Sequence, residues 1–364
     1  HVRSRRQRQM CIRDSTIPFS GNRINTIHMI FGDLMPALSI PILALIAGLC
    51  GLIWGADKFV NGSVGIARSL GVSSLVIGLT VVSIGTSAPE IIVSINAALK
   101  NSGGLAVGNA IGSNLANIGL VLGITALVAP IPVQKHLLYE ESPVLLLITA
   151  LAGLCLYDGQ LNRIESLALG IMVIPLLIMV VKYKKSHPDK PSVDISRQDM
   201  DLDLKQSSLW LFIGLGVLLV GAEVTVWGAK SLALHFGISD LIIGLTVVAI
   251  GTSLPELAAS VMSAKRGHHD IAIGNIFGSN LFNILLVMTA AGIISPIALS
   301  SDVFTRDYIA LAAMTLLLVA VVAFALLRGR KNPSGAFVSR LIGVILLSAY
   351  FSYYMVLWPS MLVS

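Results

Sequence analysis

Twenty-five residues beginning at Gly71, GVSSLVIGLTVVSIGTSAPEIIVSI, return without a gap at Gly237 as GISDLIIGLTVVAIGTSLPELAASV, with 16 identities. The same offset of 166 residues carries LAVGNAIGSNLAN from Leu105 onto IAIGNIFGSNLFN from Ile271, with 8 identities in 13, and Gly55-Ala56-Asp57 onto Gly221-Ala222-Glu223. Unrelated apolar helices share Leu and Val by chance, but not a common framework of Gly, Thr, Ser, Pro and Glu. The chain is a duplication, so each half must fold in a way the other half can also adopt.

Composition decides the solvent. Of 364 residues, 55% are hydrophobic and only 12% charged, at a mean hydropathy of +0.85, where soluble domains carry about 25% charged residues. Several apolar stretches exceed the roughly 20 residues that cross a bilayer as helix. The fold class is therefore an all-α polytopic membrane protein. A net charge of +6 would suit nucleic acid until the charges are located: residues 1–30 hold six Arg against one Asp, and the remainder has 19 Lys+Arg against 18 Asp+Glu. Residues 1–34, lacking both an apolar core and helical periodicity, are set aside as a non-native or disordered leader. Cys11, Cys50 and Cys155 form no disulfide framework and no metal-ligand spacing.

Apolar runs predict ten transmembrane helices near 37–60, 72–99, 104–129, 143–157, 164–183, 208–235, 239–264, 271–295, 308–327 and 337–358. The polar stretch at 184–207 reads as a linker between a first five-helix repeat, 35–183, and a second, 208–364. Fourteen Lys and Arg fall in the loops after odd-numbered helices and four in the opposite set. The positive-inside rule then puts the linker in the cytoplasm and both ends of the helical core outside. With an odd number of spans per copy, the two repeats enter the membrane in opposite senses. Such inverted repeats build many secondary transporters, with the site at the midplane where the copies meet.

Glu90 and Glu256 hold equivalent places inside apolar segments, where a charge costs on the order of 2.5–3.5 kcal/mol. One such Glu could serve packing alone, but two in the same Gly-Thr-Ser-x-Pro-Glu setting point to a bound cation. Thr86 and Ser87 precede Glu90 by four and three residues and so share its helical face, as Thr252 and Ser253 do for Glu256. Pro89 has no amide hydrogen and crowds the carbonyl four residues back, freeing the Gly85 oxygen, and Pro255 does the same at Gly251. In a membrane, unpaired carbonyls persist only inside protein or along a cavity. Ser113 with Asn117, and Ser279 with Asn283, add neutral oxygens four residues apart, among glycines 108, 112, 274 and 278 suited to close helix packing.

Oxygen ligands without thiol or imidazole suit Na+, Ca2+ or Mg2+ rather than zinc or copper. Ca2+ accepts about six to eight oxygens in flexible geometry, whereas Mg2+ gives up its water reluctantly. Two carboxylates about 6 Å apart repel by roughly 3 kcal/mol at an effective dielectric near 20, so an empty pocket would take up protons or cations.

The paired G-T-S-x-P-E and G-N-x-x-G-S-N motifs resemble the alpha repeats of the calcium:cation antiporter superfamily, especially the prokaryotic sodium/calcium exchangers, over nearly all of residues 37–360. The resemblance implies ten helices, the long first and sixth sliding against a compact core. Carried over by position, it implies Glu90 and Glu256 as the main Ca2+ ligands, which also bind Na+. Thr86, Ser87, Thr252 and Ser253 would supply hydroxyl or carbonyl oxygens, Ser113 and Ser279 would complete flanking Na+ sites, and the carbonyls of Ser83 and Ala249 would join them. One position departs from the pattern. Asn283, mirroring Asn117, stands where potassium-dependent exchangers and some archaeal relatives have Asp, which leaves two acids and argues against a potassium requirement. Three Na+ entering a pocket of charge minus two, as the resemblance implies, would make transport electrogenic.

The resulting expectation is Na+/Ca2+ antiport in the cytoplasmic membrane, with H+/Ca2+ exchange as the alternative and a passive cation channel as the weaker reading. No enzyme is expected, since no His-Glu-x-x-His or nucleophile–base arrangement occurs; nor is a cofactor. The expected partners are the Ca2+ and Na+ ions and the lipid bilayer, not nucleic acid. Asp57 and Glu223 suit either ion entry and gating or an interhelical bond. His268 and His269 are expected in an exposed loop, and Arg328, Arg330 and Lys331 near anionic headgroups.

Overall fold

The computed structural model describes residues 23–101, 103–178, 203–237, 247, 249–329 and 335–363. Most of the leader, residues 179–202 with most of the expected linker at 184–207, and residues 239–246 and 248 of the seventh expected span lie outside them. The chain divides into two units, His1–Ile40 and Pro41–Ser364. The first contributes helix at 23–40, the leading part of α1 (Arg23–Leu70).

The second unit is almost entirely helical. After α1 come α2 (Ser74–Thr86), α3 (Ala88–Leu99), α4 (Gly103–Val128), α5 (Leu137–Leu156) and α6 (Arg163–Ile171). Then follow α7 (Leu204–His235), α8 (Ala249–Thr252), α9 (Leu254–Lys265), α10 (His269–Ile294), α11 (Val303–Gly329) and α12 (Arg340–Val363). Among the described residues seven helices are long and apolar enough to cross a membrane, or eight if α2 and α3 form one broken span. α1 runs past the expected end at residue 60, because Val60, Val64 and Ala67 keep one face buried and the Ser63 hydroxyl donates to the Phe59 carbonyl at 2.8 Å.

Burial is inverted relative to a protein in water. Glu90, Asn114 and Asn283 are 0% exposed, while Leu154, Phe212 and Met355 are 73%, 70% and 78% exposed. Only a lipid solvent makes that arrangement favourable.

α4 and α10 form the centre, with 78% and 83% of their most apolar windows buried, against 17% for α1. Ile111, Leu115, Ile118, Phe277, Leu281 and Ile284 pack between them. The two run antiparallel: Gly103, at the start of α4, lies against Ile297, just past α10, while Gln134, just past α4, donates to Asp270 at the start of α10 at 3.0 Å. Where they cross, the Asn114 amide donates to the carbonyl of Asn280, its own counterpart 166 residues on, at 3.1 Å.

Other local features keep the same offset. The chain turns through left-handed backbone at Gly71 and Gly237, and at Asn101 and Gly267, residues that tolerate positive φ. Widened π-turns begin at Asn117 and Asn283, and at Leu137 and Val303. Two short antiparallel strand pairs exchange partners between the halves: β1 (Ile131–Pro132) with β4 (Phe337–Val338), and β2 (Gln160–Leu161) with β3 (Ile297–Ala298).

A second core joins α1 to α7 through Leu52, Phe59, Leu211 and Leu218. Glycines 48, 55 and 62 on α1 and 214, 221 and 228 on α7 recur every seven residues and are themselves 166 apart. A Cβ at Gly62 would stand 2.3 Å from the Leu211 amide nitrogen, and one at Gly214 2.3 Å from that of Phe59. The helices therefore touch backbone to backbone, as small residues permit in membranes. Gly274 and Gly278 likewise admit α2, but among the described residues nothing lies within 4 Å of a Cβ at Gly108 or Gly112.

Candidate functional site

The site is built on two helix breaks. α2 stops at Thr86, Ser87 takes φ −80° and ψ 6°, and α3 starts at Ala88 after a bend of 43°. In the second copy Ser253, at φ −88° and ψ 4°, separates α8 from α9. Pro89 and Pro255 fall in the first turn of the new helix, where a missing N–H costs nothing. Glu90 and Glu256 lie in the same first turns, where the positive end of the helix dipole favours a carboxylate.

The breaks change the grouping expected from helical spacing. Because α2 ends before Glu90, Thr86 and Ser87 do not share a continuous face with it. They stand beside Glu256 instead: the Ser87 hydroxyl donates to Glu256 Oε1 at 3.0 Å, and Thr86 is close by. Glu90 in turn has Ser113 of α4 and Thr252 of α8 beside it. Glu256 therefore meets two hydroxyls of the opposite copy and Glu90 one from each copy, and the two carboxylates are near enough to repel one another.

Both acids are sealed from solvent, Glu90 at 0% and Glu256 at 1% exposure. Among the described residues neither Glu90 oxygen has a hydrogen-bond partner, nor has Glu256 Oε2, the Ser253 hydroxyl or the Ser279 hydroxyl. Asn117 and Asn283 are also buried, with both side-chain polar atoms unpartnered among the described residues. A buried polar group left without a partner costs about 1–3 kcal/mol, more if charged.

The remaining expected ligands are more constrained. The Ser83 carbonyl accepts the Ser87 amide at 3.0 Å and the Thr86 hydroxyl at 3.4 Å, and the Ser83 hydroxyl donates back to Leu79. Ala249 opens α8, and the Ser253 amide bonds the Ile250 carbonyl at 3.1 Å rather than that of Ala249. Ser113 is buried next to Glu90. Among the described residues no cluster of three His, Cys, Asp or Glu could hold a metal.

Spacing did not single out the residues that brace the breaks. The Asn109 amide donates to the Glu90 carbonyl at 3.1 Å and to the Ser94 hydroxyl at 3.0 Å. In the same pattern Asn275 donates to the Glu256 carbonyl at 3.3 Å and to the Ser260 hydroxyl at 2.9 Å, while its oxygen accepts from Thr86 at 3.1 Å. These pairs are identities in the aligned segments, which was the available signal. His268 and His269 are half-buried rather than exposed, since the left-handed turn at Gly267 folds them back and the His268 amide bonds the Ser263 carbonyl at 2.8 Å. Asp57 is bound to Arg266, an interhelical ion pair.

The pattern described as sodium/calcium exchanger protein matches residues 40–182 and 207–358. The chain belongs to the sodium/calcium exchanger family. It is a family of membrane transporters rather than catalytic enzymes, and membership makes this chain a cation/Ca2+ antiporter. Among relatives, CaxA of Alkalimonas amylolytica is 44% identical over 319 residues, covering 87% of this chain and 98% of its own length. The sodium/calcium exchanger MaX1 of Methanosarcina acetivorans is 29% identical over 358 residues, covering 88% and 99%. The structure of the exchanger NCX_Mj soaked with 2.5 mM Na+ and 0.1 mM Ca2+ superposes with a TM-score of 0.72 at 36% identity, over 86% of this chain and 97% of that one.

Proposed function

We propose that this family member exchanges Na+ for Ca2+ across the cytoplasmic membrane, by alternating access at a midplane site between two inverted five-helix repeats. The observation that carries the reading is the sealed pair of acids, with Ser87 and Thr86 of the other copy beside Glu256 and Thr252 of the other copy beside Glu90, and with three of the four carboxylate oxygens unpartnered among the described residues. Ca2+ neutralises both charges at once, whereas Na+ must enter at least twice to do the same, so the ions compete for one charge. Thr86, Ser87, Thr252, Ser253, Ser113 and Ser279 supply neutral oxygens around the acids, with Asn117 and Asn283 and the carbonyls of Ser83 and Ala249 completing the ligand set.

The ten-helix inverted arrangement draws support from antiparallel α4 and α10, from the contact of Asn114 with its counterpart Asn280, and from the exchanged strand partners. A residue meeting its own copy is what a two-fold axis requires. The basic loops orient both ends of the helical core outward. Uptake of 45Ca2+ into Na+-loaded vesicles tests the coupling: the reading requires flux that depends on an opposed Na+ gradient. Flux that instead collapses with the proton gradient would establish H+/Ca2+ exchange, and conductance without countertransport would establish a channel.

A further inference from the structure

Arg266, capping the end of α9, reaches α1 and donates to Asp57 and to Asn61. The pair ties α1, the least buried of the seven long apolar helices among the described residues, to a hairpin that carries a site acid. Shifted by the repeat offset, Asp57 becomes Glu223 on α7, and Arg266 becomes Lys100 at the end of α3. Acid and base both keep their sign. In this structure Glu223 and Lys100 are each exposed, and they form no ion pair with one another.

The two pairs serve opposite ends of the molecule. Arg266 precedes the start of α10, which meets the end of α4, whereas Lys100 precedes the start of α4, which meets the end of α10. In an inverted-repeat transporter the other face opens when the copies exchange conformations. A contact made by one set of residues then passes to its counterparts.

Resting on the proposed inverted-repeat antiport, we infer that Asp57–Arg266 and Glu223–Lys100 are reciprocal latches, one closing as the other opens with each half-cycle. The second latch is the weaker. Asn61 is replaced by Trp227, which has no acceptor for a second hydrogen bond, and Lys gives a point charge where Arg gives a fork.

The test uses the protein in proteoliposomes, with Cys11, Cys50 and Cys155 changed to Ser and cysteines placed at 99 and 220, exposed positions that flank Lys100 and Glu223 and leave both in place. A short bifunctional maleimide then reports their proximity. Cross-linking is expected during Na+/Ca2+ exchange and not in ion-free protein. Asp57→Asn should raise it about two- to five-fold, the shift that a partly exposed ion pair can sustain. The charge swap Asp57→Arg with Arg266→Asp should return it to the starting value, which excludes misfolding. Equal cross-linking at rest and in exchange, or no response to Asp57→Asn, would overturn the inference. If wild-type protein shows no coupled exchange yet the cross-link still responds to Asp57→Asn, the latches stand and the transport reading falls.

Discussion

In the first copy of the Gly-Thr-Ser-x-Pro-Glu motif, Ser87 gives its hydroxyl to Glu256 and its amide to the Ser83 carbonyl. In the second, the Ser253 hydroxyl has no partner among the described residues and its amide turns to Ile250. The two motifs share Gly, Thr, Ser, Pro and Glu at the same positions, so the difference is conformational and not chemical. Glu256 already has one oxygen held by the protein, and Glu90 has none. The proposed alternating access requires copies that can each adopt either arrangement without adopting the same one together.

The largest effect expected on this comparison comes from the acids. Glu90→Gln and Glu256→Gln should each bring 45Ca2+ transport to background while the purified protein still elutes as a folded species, because Ca2+ needs both charges. Wild-type flux in either variant would remove that acid from the ligand set. Next comes packing: Gly62→Ala places a methyl against the α7 backbone and should cost about 1–3 kcal/mol in unfolding experiments, the usual range for overpacking. Gly112→Ala, with open space around the new methyl, should cost less than about 0.5 kcal/mol.

Serine substitutions probe the asymmetry itself. In ion-free protein Ser87→Ala leaves Glu256 Oε1 buried without a donor and should destabilise by about 1 kcal/mol or more. Ser253→Ala removes a hydroxyl that bonds nothing among the described residues and should be close to neutral. Equal losses would show that the two motifs are interchangeable at rest.

The smallest effect concerns two further counterparts, Glu141 and Asp307. Glu141 is held by His136 at 3.1 Å, and Asp307 by Arg306 at 2.6 Å. Burial alone would lower the His136 pKa, but the hydrogen bond and charge of Glu141, aided by Asp270 and Glu140, outweigh it and raise it. A raised folded-state pKa gives stability that is fully present below the unfolded value of 6.5 and lost as pH climbs through the folded value. Amide exchange at residues 133–141 should therefore quicken beyond the intrinsic rate across that window, while residues 300–307, held by a permanently charged guanidinium, should not change. The same acceleration in both segments would contradict the assignment to His136.

Much of the fold is legible in the letters because duplication writes it twice. Gly71 and Gly237, or Asn117 and Asn283, mark turns and widened helix segments at one offset. The glycines at seven-residue spacing on α1 and α7 were equally visible, but their meaning lies in which helices touch, and sequence does not specify that. For the site, the acids and hydroxyls were legible and their pairing was not. Helical spacing assigns Ser87 to Glu90, yet the break at Ser87 hands its hydroxyl to Glu256, a partner 169 residues away. Asn109 and Asn275 escaped for a related reason: a brace on a backbone carbonyl leaves no periodic trace.

Isothermal titration of the purified protein with Ca2+ across a series of Na+ concentrations tests the shared charge most directly. The account predicts that apparent Ca2+ affinity falls steadily as Na+ rises, and that the binding heat disappears in both Glu90→Gln and Glu256→Gln. Ca2+ affinity indifferent to Na+, or preserved in either variant, would contradict it.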